Sequence, residues 1–283
     1  MSDADFLPNK RSLVCAETYL DLDNDRWEER LTLTRESEDY DIDDSPGQFY
    51  RILIDTRISK KTDEWKRVFD SSEHDLMRHF CGDLSEKDKA LFRVENRNNN
   101  KTPELYFTEW NGNCDPECVV IIEYLENRYQ VLLRAPLGFL EFRDLESDGM
   151  DELCGIATYT HMSGIYEPAF LVAFTFEDNK YVSSYEMTKQ LHEERLDKYE
   201  AEFSADRDIQ SLLWLLGFCA VGDFLDRGKA LLSQNEDLIL DFGGTVQTAY
   251  KAYIDVHTSH LTSWERVRAG KWNVDPWAKS EEP

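Results

Sequence analysis

Three short segments carry oxygen-bearing side chains at alternate positions, the pattern with which a tight loop surrounds a hard cation. They are Asp21-Leu22-Asp23-Asn24-Asp25-Arg26-Trp27-Glu28-Glu29, Asn96-Arg97-Asn98-Asn99-Asn100-Lys101-Thr102-Pro103-Glu104, and Asp144-Leu145-Glu146-Ser147-Asp148-Gly149-Met150-Asp151-Glu152. Side chains at positions 1, 3 and 5 of such a loop converge on one ion, a glycine at position 6 permits the sharp turn, and a later carboxylate closes the shell; the ion this chemistry suits is Ca²⁺. The third segment keeps every part, with Asp144, Glu146, Asp148 and Glu152 as candidate ligands and Gly149 at the turn. The first offers Asp21, Asp23, Asp25 and Glu29 but places Arg26 where glycine is wanted, and the second replaces the acids with Asn96, Asn98 and Asn100.

Asp and Asn also build tight turns unaided, by accepting hydrogen bonds from their own backbone. For the first loop this ion-free reading is favoured, because Arg26 brings a positive charge to the hinge, and for the second it is favoured more strongly, because neutral amides give calcium little charge. If only one loop holds Ca²⁺, the third is expected to, at an affinity of roughly 10⁻⁴ to 10⁻³ M, the range of extracellular modules.

The elements around the loops recur in the same order. Each loop leads into a strand-like segment, Leu31 to Thr34, Leu105 to Glu109 and Leu153 to Thr160. A hairpin follows each, its second arm opening with an aromatic: Phe49 to Ile58 with Trp65 to Phe69, Val119 to Leu125 with Tyr129 to Leu133, and Phe170 to Phe176 with Tyr181 to Tyr185. The turns Glu126-Asn127-Arg128 and Glu177-Asp178-Asn179-Lys180 are near copies in character. This internal repeat resembles the FG-GAP/VCBS-type calcium-loop repeats of integrin-like β-propellers, over about residues 15 to 187. The resemblance implies blade-like antiparallel sheets, calcium in the loops, and recognition rather than chemistry. Three copies fall short of the four blades that usually close a propeller, so a partial or open arrangement is expected.

From about Met187 the apolar period becomes helical. Lys189 to Phe203 reads as a helix; Asp206 or Asp208 caps a second through Gly217; Leu225 to Gln234 and Val246 to Trp264 supply two more, the last with Tyr250, Tyr253 and Ile254 as its buried stripe. Trp214 to Phe224 with Arg227 to Leu232 resembles a single tetratricopeptide-type helix pair, read as a packing layer. The expected fold class is α+β: a three-repeat antiparallel β-sheet domain at 1–187, then an α-helical region at 188–283.

The chain has 57 acidic and 32 basic residues, a net charge of −25, and 41% hydrophobic residues. It holds enough apolar material to fold, and its charge argues against nucleic-acid phosphates and anionic lipid as partners. The first 200 residues carry −20 of that charge. A basic protein partner fits best, met by an acidic face; the run around Asp39, Asp41, Asp43 and Asp44 is the candidate contact, though such a run is more often a solvated loop. The longest apolar run, Leu212 to Val221, is about half of a bilayer span. The polar, acidic opening residues do not read as a secretory leader.

Six cysteines are scattered along the chain; the close pair Cys114 and Cys118 suits a local disulfide or two thiols better than zinc. The histidines, His74, His79, His161, His192, His257 and His260, lack ligand or nucleophile companions at catalytic spacing and read as structural or surface residues. The expected function is therefore an acidic binding protein, secreted or periplasmic, of the kind that inhibits or confers immunity to a basic secreted enzyme. The rival is a secreted hydrolase cutting polysaccharide or peptidoglycan with a carboxylate pair; a cytoplasmic location is the alternative to export.

Overall fold

The computed structural model describes residues 11–37, 48–49, 51–59, 62–74, 76, 80–81, 93–98, 100–109, 118–157 and 169–272. By compactness the chain forms two units, Met1–Ala135 and Pro136–Pro283. The architecture is α+β, antiparallel sheets followed by helices, as the change of period predicts.

The first unit holds two sheets. One is an antiparallel meander of β1 (Arg11–Leu20), β2 (Glu29–Ser37), β4 (Arg51–Arg57) and β5 (Trp65–Asp70), in the order β1-β2-β4-β5. The other runs β10-β9-β8, from Arg128–Ala135, Cys118–Leu125 and Glu104–Glu109. The far side of β8 pairs with β7 (Arg93–Glu95) at one end and β6 (Phe80–Cys81) at the other, and β6 pairs in turn with β3 (Gln48–Phe49). Phe49, expected to open the first hairpin, thus belongs to the second sheet. A short 3-10 turn, Ser71–His74, follows β5 and stacks His74 on Phe69. Leu31, Leu33, Ile52, Ile54 and Phe69 of the first sheet pack with Leu105, Phe107, Val120, Ile122 and Tyr129 of the second. Each such side chain, once buried, contributes about 1.5–3 kcal/mol.

The second unit opens with the meander β11 (Leu137–Arg143), β12 (Glu152–Ala157), β13 (Leu171–Glu177) and β14 (Lys180–Ser184). Helices α1 (Tyr185–Asp206), α2 (Ile209–Val221), α3 (Leu225–Gln234), α4 (Glu236–Asp241) and α5 (Val246–Arg268) follow. Helix α1 begins directly after β14, capped by Ser184, and is tied to β13 where Thr188 Oγ1 accepts the Ala173 N–H at 3.0 Å. Asp208 caps α2, its carboxylate accepting from Gln210 N and Ser211 N. Helix α2 runs on to Val221, past the expected end at Gly217, because residues Leu215 to Val221 are all buried. On α5, Tyr253 is buried but Tyr250 is 40% exposed, so the expected stripe is narrower than the sequence suggests. Trp272 folds back beside Phe170, its ring stacked at 5.2 Å, in a buried group that includes His192, His260 and Trp264. Cys154 and Cys219 are buried free thiols; Cys114 of the close pair lies outside the described residues.

Candidate metal centre

All three oxygen-rich loops occupy the same place, the connection between the first and second strands of a four-stranded meander: β1 to β2, β7 to β8, and β11 to β12. The strand before each loop was not legible in the sequence pattern; the strand after it was. In every copy the glutamate at position 9 reaches back to the backbone of position 2. Glu29 accepts the Leu22 N–H at 2.7 Å, Glu104 the Arg97 N–H at 2.8 Å, and Glu152 the Leu145 N–H at 2.6 Å. All three glutamates are buried. Leu22 and Leu145 at position 2 are buried too, so an apolar plug and a charge-assisted hydrogen bond hold each acidic loop against its sheet.

The first and third loops also share their backbone. Positions 4 and 6 have positive φ in both: Asn24 at 59° and Arg26 at 74°, Ser147 at 58° and Gly149 at 85°. Position 1 accepts the amide of position 6, Arg26 N to Asp21 Oδ2 and Gly149 N to Asp144 Oδ2, each at 3.1 Å. Arg26 therefore takes the turn that glycine was expected to make, and its side chain is exposed to solvent rather than turned into the loop. A left-handed non-glycine residue costs on the order of 1 kcal/mol.

What differs is where the carboxylate oxygens go. Asp21, Asp23 and Glu29 each bring an oxygen within 4.8 Å of the others, a spacing that one cation can bridge. Two of their oxygens, Asp21 Oδ1 and Glu29 Oε1, are buried with no hydrogen-bond partner, although Glu29 is only 1% exposed. Burial pushes the Glu29 carboxyl up to about 7, and the neighbouring Asp23 and Asp25 push the same way against the opposing Leu22 N–H. Burial and the charges of Asp25 and Asp21 likewise raise Asp23. Asp25 stands outside the cluster and accepts the Trp27 N–H instead.

In the third loop no three of Asp144, Glu146, Asp148 and Glu152 meet that spacing. Both oxygens of Asp144 already accept backbone amides, from Asp148 and Gly149, and Asp148 accepts from Met150. The first and third loops each give four carboxylate oxygens to their own backbone amides, so what sets the third apart is that Asp144 gives both of its oxygens and no three of its acids come together. The second loop is neutralised by donors. Glu123 of β9, opposite Glu104 in the ladder, accepts from Asn98 Nδ2 at 2.6 Å and Thr102 Oγ1 at 2.5 Å, which puts an amide and a hydroxyl against the carboxylate.

Sequence reasoning did not find Tyr129 and Tyr124. Burial raises the pKa of both hydroxyls, and the negative charges of Glu29, Asp23 and Asp25 add to it, so both tyrosines, on β10 and β9, lie within electrostatic reach of the first loop. The Tyr129 hydroxyl is buried without a partner. Its role as the aromatic opening the second hairpin arm was the only signal, and that signal pointed to packing. Asp39, Asp41, Asp43 and Asp44 lie outside the described residues. No helix among the described residues is long and apolar enough to cross a membrane.

No family model, curated protein or solved structure matches this chain.

Proposed function

We propose that this chain is a Ca²⁺-binding recognition protein whose three meanders are propeller-blade-like repeats, with the ion held by the first loop through Asp21, Asp23 and Glu29. The observation that carries this reading is the convergence of three carboxylates that leaves Asp21 Oδ1 and Glu29 Oε1 buried and unpartnered. A buried carboxylate oxygen without a donor costs several kcal/mol unless it is protonated or meets a cation. The blade reading is supported by the common place of the loops and by the repeated position-9 to position-2 hydrogen bond. Calorimetric titration with CaCl₂ is expected to give one site of roughly 10⁻⁴ to 10⁻³ M, with a rise in melting temperature. Asp23→Asn should abolish both, and Asp148→Ala should leave both in place. No heat and no thermal shift at several millimolar calcium would retire the proposal.

For the biological role, the net charge of −25 supports a basic protein partner, engaged as an inhibitor or immunity-type antagonist engages a cationic enzyme in a secreted or periplasmic setting where calcium reaches millimolar levels. Association with a partner captured from the native host should slow steeply with added salt while dissociation changes little. Reversal of Asp39, Asp41, Asp43 and Asp44 together should slow association if that run makes the contact. Turnover of a glycan by the purified chain, lost on replacing one carboxylate, would hand the case to the hydrolase reading.

A further inference from the structure

Within the second unit, α1 lies over β13 and leaves a cleft of about 580 Å³ above β11 and β12, a size that suits a small organic ligand. Its floor is apolar: Cys154 and Ile156 on one face of β12, Leu171 of β13 and Leu191 of α1. Burial pushes the Cys154 thiol up to about 12, so this sulfur is a hydrophobic surface and not a nucleophile.

The rim is cationic in a chain that is otherwise acidic. Of the two carboxylates there, Glu194 receives Arg143 at 2.6 Å and Glu141 lies 3.8 Å from the same guanidinium. Arg195 and Lys198, on the same side of the cleft, are within ion-pair distance of no carboxylate among the described residues. Arg195 is half-buried; its Nη1 donates to the Ala169 carbonyl at 2.9 Å, and its guanidinium sits 5.4 Å from the Phe218 ring centre. Lys198 is exposed, with Nζ 5.6 Å from the centre of the Tyr199 ring. A guanidinium with one N–H on a carbonyl keeps other donors for a planar anion. Burial works against its charge and Glu141 across the rim supports it only from beyond ion-pair distance, which is unfavourable in a protein with ample acid to supply a closer partner.

We infer that this cleft binds a small amphipathic monoanion, an aliphatic carboxylate whose head group meets Arg195 and Lys198 and whose chain covers Ile156, Leu171 and Leu191. The charge complementarity chooses an anion, and the apolar floor chooses a hydrocarbon tail.

Decanoate is the probe, titrated into the full chain in EGTA so that the result is independent of calcium, and followed by calorimetry and by amide shifts in heteronuclear NMR. Saturable binding is expected, with shifts centred on β12 and the middle of α1. Lys198→Glu, a change at an exposed position that leaves the fold intact, should weaken it roughly tenfold, Arg195→Gln at least as much, and neutral decanol should bind about tenfold more weakly than decanoate. The inference is overturned if decanoate fails to saturate below several millimolar, if its shifts lie elsewhere, if decanol binds as well, or if a normally melting Lys198→Glu binds decanoate like the wild type.

Discussion

Glu29 accepts the Leu22 N–H with Oε2 at 2.7 Å and leaves Oε1 buried with no partner. The first bond locks the loop to its sheet. The second oxygen stores a cost that a cation, a proton or a neutral isostere can relieve, and Glu29→Gln separates these. Without calcium the variant should be more stable than wild type near pH 7 by about 1–3 kcal/mol, because a buried carboxylate beside Asp23 and Asp25 has been neutralised. It should also lose the calcium-induced rise in melting temperature. The wild-type protein adds a pH signature. Folded Glu29 keeps its proton to about pH 7 whereas an unfolded glutamate releases it near 4.5, so stability is fully present below 4.5 and falls as pH rises to 7, by about 3 kcal/mol. Urea unfolding of wild type and Glu29→Gln, with and without calcium, reads this as a difference that millimolar calcium should erase.

His192 contributes with the opposite sign. Burial first, then the charges of Arg195 and His260, lower its pKa to about 3 against the opposing Leu171 backbone, whose carbonyl lies 3.1 Å and whose amide lies 3.2 Å from Nε2. The folded group resists a proton that an unfolded histidine takes up near 6.5. Its contribution is therefore complete above pH 6.5 and lost as pH falls toward 3. The stability gap between wild type and His192→Gln should narrow steadily over that range in denaturant titrations.

Arg26 and Gly149 stand at the same turn with φ of 74° and 85°. Arg26→Gly should stabilise the protein by about 1 kcal/mol, and Gly149→Ala should destabilise it by a similar amount although nothing lies within 4 Å of the added methyl. Equal and opposite shifts in the urea midpoint would confirm that the two loops share one backbone. No gain from Arg26→Gly would show that they do not.

Gly228 of α3 faces Tyr253 of α5 so closely that an added Cβ would sit 2.4 Å from the ring. The Tyr253 hydroxyl donates to the Phe224 carbonyl at 3.2 Å and cannot withdraw freely. Gly228→Ala should cost about 1–3 kcal/mol, more than the few tenths that surface helix substitutions show, with loss of near-ultraviolet circular dichroism from the displaced tyrosine.

The sequence by itself determined the loops, the strands that leave them, most of each hairpin and four of the five helices, α4 and the place of Phe49 excepted, because each is written in local chemistry. Alternating oxygens make Asx turns, period-two apolar runs make half-buried strands, and Asp208 caps a helix wherever a helix follows. The paired turns at Glu126-Asn127 and Asp178-Asn179, near copies in sequence, do adopt matching left-handed pairs, with φ from 48° to 65°. The entry strands β1, β7 and β11 escaped notice, since each is an edge strand paired on one side only, with the strand that follows its loop, and needs little pattern of its own. Which loop gathers free carboxylate oxygens was a tertiary decision. The third loop has the better motif, yet Asp144 gives both its oxygens to loop amides and no three of its carboxylates come together. The first has Arg26 at the hinge, yet packing between two sheets buries Glu29 near Tyr129 and keeps two oxygens from any donor. Spacing along the chain states which groups can converge; only the packing around them decides whether water, backbone or nothing satisfies the oxygens that do.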